Sequence, residues 1–152
     1  MNKSILYLVI LLLLGLGVYY FLIKPSGSAF SQSEAGFTVK DTAAIGKIFL
    51  VSADGESILV ERTNTGWIVN KQYKALPSTL NLLLKTFTQQ AALYPVTQNA
   101  LDNAIKIMAT DHIKTEIYDT TGKKITSFYV GGAAVNNTGT NMLIEGAETP
   151  YV

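Results

Sequence analysis

Few residues in this chain are suited to chemistry, and their spacing does not favour it. His112 is the one histidine and stands beside Asp111, the pairing that a general base oriented by a carboxylate needs. Adjacent residues of a strand point to opposite faces, and no serine lies in a Gly-x-Ser-x-Gly nucleophile elbow. His112 therefore reads as an ordinary loop or strand-start residue. With no cysteine, only carboxylates remain to help one imidazole hold a metal, which does not favour a transition-metal site. Asp54-Gly55-Glu56 sets two carboxylates at a turn, without the further oxygen ligands and distal Glu of a calcium loop. Glycoside chemistry needs two acids flanking one bond; Asp102, Asp111, Glu116 and Asp119 are available, but solvated turn and strand charges are the simpler reading. No catalytic residue, metal site or cofactor is assigned on this basis.

The most unusual polar stretch is Gly131–Thr140, GGAAVNNTGT. Glycine-rich backbone can form an anion-binding nest. This one lacks both the Gly-x-Gly-x-x-Gly spacing and the Gly-Lys-Ser/Thr ending that make phosphate binding specific. It reads first as a structural loop, and beyond that as an interaction loop carried by Gly131, Gly132, Asn136, Asn137, Thr138 and Gly139. Trp67 and the tyrosines after the apolar run offer a sugar platform as one alternative, but Trp67-Ile68-Val69 reads more simply as a strand with its ring in the core.

What positions these residues is first of all Ile5–Ile23, an uncharged run in which fourteen positions are Leu, Ile, Val or Phe. At about 1.5 Å per residue the run reaches roughly 28 Å, close to the ~30 Å hydrocarbon core. Its insertion free energy sums to about −4 to −8 kcal/mol. The expectation is an uncleaved transmembrane helix over 5–23 that meets the bilayer through Tyr7, Leu11, Leu14, Tyr19 and Tyr20. Gly27-Ser28-Ala29 is the alternative, a signal-peptidase site, but cleavable signals have apolar regions of only about 7–15 residues. Residues 1–4 are then cytoplasmic and the bulk of the chain lies outside. Pro25 to about Phe37 is Ser/Gly-rich without apolar periodicity, so 24–37 reads as a flexible tether.

From Lys24 onward, 11 basic residues balance 11 acidic ones. A nucleic-acid binder shows a gathered basic excess, and no polybasic run of the lipid-binding kind is present either. Lys47–Val51 and Ser57–Arg62 are strands around an Asp-Gly turn, and Trp67–Val69 is a third. Leu80, Leu83, Leu84 and Phe87 fall at helical spacing and predict a helix over 78–92. A second helix, around 99–109, follows from Leu101, Ala104, Ile105 and Met108. Period two then returns in His112–Asp119 and Lys124–Val130, a second hairpin. Asn141–Glu145 is a short strand, and Pro150–Val152 resembles the start of another. The predicted fold class is α+β: a transmembrane helix followed by a domain, 38–152, of antiparallel hairpins with two helices.

Several of these residues together resemble a known family. Ile48 with Gly55, Gly66-Trp67, Tyr73-Lys74-Ala75, Tyr94-Pro95-Val96, Tyr118-Asp119 with Gly122, Tyr129-Val130-Gly131-Gly132, Gly139-Thr140 with Met142, and Pro150-Tyr151-Val152 are similar to the domain of unknown function 4340. The resemblance covers about 40–152 and implies a bacterial single-pass inner-membrane protein with a periplasmic α+β domain. Family members usually continue past the Pro-Tyr-Val segment, which implies a longer parent protein. The family has no established catalytic residues, so none carries over. The expected function is a non-enzymatic accessory or interaction subunit whose partners are the lipid bilayer and other membrane protein subunits, with no nucleic acid. The alternative is a periplasmic module that binds glycans or peptides.

Overall fold

The computed structural model describes residues 36–135 and 137–152. The 5–23 run, the tether up to 35 and Asn136 lie outside the described residues. The chain forms β1 (Ile45–Ser52), β2 (Ser57–Thr63), β3 (Gly66–Val69), β4 (Tyr73–Lys74), α1 (Pro77–Gln89), α2 (Gln98–Thr110), β5 (Ile113–Asp119), β6 (Lys124–Ala133) and β7 (Thr140–Ile144). The strands make one sheet in the order β4-β3-β2-β1-β5-β6-β7, antiparallel at every pairing. Two meanders therefore meet along β1 and β5, and the helices fill the connection between them. Among the described residues, no helix is long and apolar enough to cross a membrane.

Alternation decides which side chains are buried. Ile48 stands in register with Val60 on one side and Ile117 on the other, and all three are buried. Phe128 continues this face, and the rings of Phe37 and Phe87 meet it edge-on at 5.8 and 6.4 Å. Phe87 is the buried residue of α1; Pro at the first helical turn suits that helix, because its missing N–H would be unbonded there anyway. The opposite face carries Lys47, Phe49 and Val51 of β1, Lys114, Glu116 and Tyr118 of β5, and Ser127 and Tyr129 of β6.

Four details differ from the sequence expectations. The packed domain begins before residue 38: Phe37 is only 2% exposed. The Phe37 carbonyl accepts from Gln90 Nε2, and the Val39 N–H donates to the Phe87 carbonyl at 2.9 Å. Composition marked Phe37 as tether because its core partners, Phe87 and Phe128, are remote in sequence. A strand absent from the sequence reading, β4, arises because Asn70 and Lys71 both take positive φ, 50° and 58°, the geometry of a tight hairpin turn. Ile105, expected on the inner face of α2, is 42% exposed, while Ala104 and Met108 are buried. Trp67 is half-buried rather than in the core, with the Arg62 guanidinium 4.7 Å from its ring centre.

A candidate interaction groove beside the β6–β7 connection

Gly131 and Gly132 belong to β6, not to the loop, which shortens the irregular connection to 134–139. The small size of Gly131 serves packing. A Cβ on Gly131 would stand 2.6 Å from Met108 Cγ and 3.3 Å from the Asn141 carbonyl oxygen, so the missing side chain lets α2 lie close to the sheet. At Gly132 the neighbour is Ile107. The connection is closed by its own amides: the Ala134 N–H donates to the Gly139 carbonyl at 2.9 Å, and the Asn137 N–H to the Ala134 carbonyl at 2.8 Å. Asn137 takes a φ of 54°, a conformation that Asn tolerates better than most residues. These two amides are thus occupied within the turn, which weighs against the anion-nest reading. Thr138 Oγ1 lies 2.7 Å from Tyr94 Oη, tying the connection to the segment after α1. Gly139 lies against Val152, where a Cβ would come within 2.8 Å of its Cγ1.

That tie borders a groove of about 200 Å³ whose apolar walls include Tyr94, Val96, Ala100, Ala104, Ala134 and Val152. Ala100 and Ala104 are one helical turn apart on α2, and their short side chains leave the space open. Asn103 and Asn141 add polar groups to the lining. The floor is held by a backbone ladder. The Leu93 N–H donates to the Val152 carbonyl at 2.7 Å, the Val152 N–H to Tyr94 at 2.9 Å and the Val96 N–H to Pro150 at 2.9 Å. Met142 and Tyr151 exchange two bonds of 2.7 Å. The Pro150–Val152 segment is therefore laid between β7 and the 93–96 segment, bridged antiparallel to both through Tyr151. Val135, in the lining, is 87% exposed. Sequence reasoning reached the 131–140 side of this groove but missed Ala100, Ala104 and Val152. The one signal for the far wall was the Tyr94-Pro95-Val96 motif.

The other chemical candidates are engaged elsewhere. His112 Nδ1 lies 2.7 Å from the Met108 carbonyl oxygen, and the ring meets Tyr129 edge-on at 5.2 Å, so the imidazole finishes the C-terminus of α2. Asp54 bonds Ser52 Oγ and the Glu56 N–H in its own turn; the Ser52 hydroxyl, ahead of the backbone, holds its carboxyl below the usual range. Asp119 likewise accepts from Thr121 and Lys123, and the Thr121 hydroxyl is the main cause of its lowered pKa. Asp119 also lines a polar cleft of about 450 Å³ with Lys47, Glu61 and Arg62. Arg62 there donates to the Ile45 and Thr42 carbonyls at 2.8 and 2.9 Å. Among the described residues, no three of His, Asp and Glu converge as a metal site would require.

Four charges on the sheet face opposite Phe128 form a closed set. Lys114 Nζ reaches Glu116 and Glu145 at 2.9 and 2.7 Å, and Lys124 Nζ reaches them at 3.6 and 2.9 Å. Tyr118 Oη donates to Glu116 at 2.6 Å. That hydroxyl first, and Lys114 second, hold the Glu116 carboxyl low. Lys114, then Lys124, hold Glu145 down at about 2. The set neutralises itself and aims no unpaired charge at a substrate. Comparison of the chain with protein families, characterised proteins and solved structures finds no match.

Proposed function

We propose that this protein is a membrane-anchored, non-enzymatic accessory subunit of a larger bacterial membrane assembly, and that it meets a neighbouring subunit at the groove beside the β6–β7 connection. The observation that carries the reading is an apolar-walled groove of about 200 Å³ with Val135, 87% exposed, in its lining. Small-molecule pockets run to roughly 300–1,000 Å³, so the groove is better matched to one inserted side chain than to a whole sugar. The 5–23 run supports the anchor, and the resemblance to the domain of unknown function 4340 supports a periplasmic location. Anchoring raises the effective concentration of the domain for anything in the same membrane, so a weak contact at the groove can give stable association.

The test is photocrosslinking from position 135 in intact membranes, with a crosslinker of the same length at Glu61 as control. A discrete adduct with one membrane protein, formed from 135 and not from 61, is the expected result. Absence of any adduct from 135, together with a stabilising shift on addition of cell-wall glycans or peptides, would transfer the groove to the ligand-binding reading.

A further inference from the structure

The groove beside the β6–β7 connection holds one polar group that its apolar walls leave poorly bonded. Asn141 lies in the lining yet is only 8% exposed. Its Nδ2 donates to the carbonyl of Ala133, another lining residue, at 3.5 Å. That is beyond the roughly 2.7–3.2 Å of a well-formed N–H···O bond, and among the described residues the Asn141 carboxamide makes no shorter one. A buried amide with poor partners is costly, so a group that completes its bonding is held there. Tyr94 Oη, in the same lining, is already engaged 2.7 Å from Thr138 Oγ1.

Size and charge narrow what can complete it. An apolar cavity of about 150 Å³ takes one benzene molecule, so the groove, at about 200 Å³, accommodates a single six-membered ring with a small substituent. No side chain in the lining is charged, and the complementary occupant is therefore neutral: an inserted Lys, Arg, Asp or Glu would be desolvated without a counter-charge. An aliphatic side chain suits Val96, Ala100, Ala104 and Val152 but leaves the amide of Asn141 as poorly bonded as before. Tyr94 adds an aromatic ring to the lining, and aromatic pairs contribute beyond the area they bury. A phenol meets all of these conditions. Its ring is apolar and of the right size, it carries no charge, and its hydroxyl both donates and accepts, as a carboxamide requires. The fused indole of tryptophan is larger and only donates.

We infer that the groove takes a tyrosine side chain of the neighbouring subunit, its ring against the apolar walls and its hydroxyl on the Asn141 carboxamide. The inference rests on the docking reading of the groove and deepens it by naming the group that enters. Tyrosine is among the residues on which interface energy concentrates, and the backbone ladder under the groove holds the site in place before the partner arrives.

The probes are N-acetyl-tyrosinamide, N-acetyl-phenylalaninamide and N-acetyl-tryptophanamide, titrated into the isotope-labelled full chain in mild detergent and followed by NMR. The tyrosine probe should saturably shift the Asn141 side-chain amide and the backbone amides of Ala100 and Ala104, and leave Gly66, on β3 across the sheet, unmoved. It should bind roughly three- to tenfold more tightly than the phenylalanine probe, the worth of one neutral hydrogen bond. Asn141→Leu should abolish that preference, because a site that no longer bonds the hydroxyl no longer rejects the analogue lacking it. Ala100→Leu, at a half-buried position of α2, should block both probes by filling the groove, and it serves where Asn141→Leu fails to fold. Equal affinity for the tyrosine and phenylalanine probes, tighter binding of the tryptophan probe, shifts that survive Ala100→Leu, or no shift at all overturns the inference. The crosslink from position 135 is scored separately. An adduct without a tyrosine preference keeps the docking reading and overturns this one, whereas a tyrosine preference without an adduct upholds the phenol site and removes the membrane subunit as its source.

Discussion

Replacing Phe37 by Ala tests whether the domain truly begins inside what composition marks as tether. The ring is 2% exposed and lies edge-on to Phe128 at 5.8 Å and to Tyr151 at 6.3 Å. A buried aromatic removes about 150–250 Å² from water, which at about 25 cal/mol per Å² is about 4–6 kcal/mol. A partly compact unfolded chain makes that an upper bound, and Phe→Ala replacements in cores cost about 3–5 kcal/mol. At about 4 °C per kcal/mol for a domain of this size, the melting midpoint of Phe37→Ala should fall by about 12–20 °C. The assay is thermal unfolding of the chain in mild detergent, followed by near-ultraviolet circular dichroism. Leu82→Ala serves as control, since a surface substitution should stay within about 0.5 kcal/mol. If Phe37→Ala melts within about 2 °C of the parent, about 0.5 kcal/mol, Phe37 contributes nothing to the core and the boundary belongs where composition put it.

Gly131→Ala should destabilise by about 1–3 kcal/mol through overpacking, because its Cβ would meet Met108; in urea titrations the same substitution should cost less in a Met108→Ala background, and the absence of any coupling would refute the packing role. Arg62→Ala should shift the emission of Trp67, the one tryptophan, because it removes the guanidinium 4.7 Å from the ring; unchanged emission would refute the contact. The Glu145 carboxyl is held at about 2 against an ordinary 4.5, so its contribution to stability is present above about pH 4.5 and is lost as pH falls toward 2. Glu145→Gln should flatten the acid limb of a melting-midpoint profile over that window, and an identical limb would show the pairing to be idle.

Much of the domain was legible in the sequence because it rests on local signals. The Asp54-Gly55 turn, the period-two alternation in 113–119 and the Leu80–Phe87 spacing each lie within a few residues, so β1, β2, β5, β6 and both helices appear close to their observed bounds. So does the balance of 11 acidic against 11 basic residues after Ile23. The tertiary structure decided what depends on distant partners. Phe37 becomes core only because Phe87 and Phe128 come to meet it, and Gly131 and Gly132 are strand rather than loop because β6 runs on to Ala133, which pairs with Thr140 of β7. The groove exists because Ala100, Tyr94 and Val152, from three separate segments, share one wall. Periodicity records which way one residue faces relative to its near neighbours; it carries no information about which remote segment arrives opposite, and that is what sets burial and builds a site.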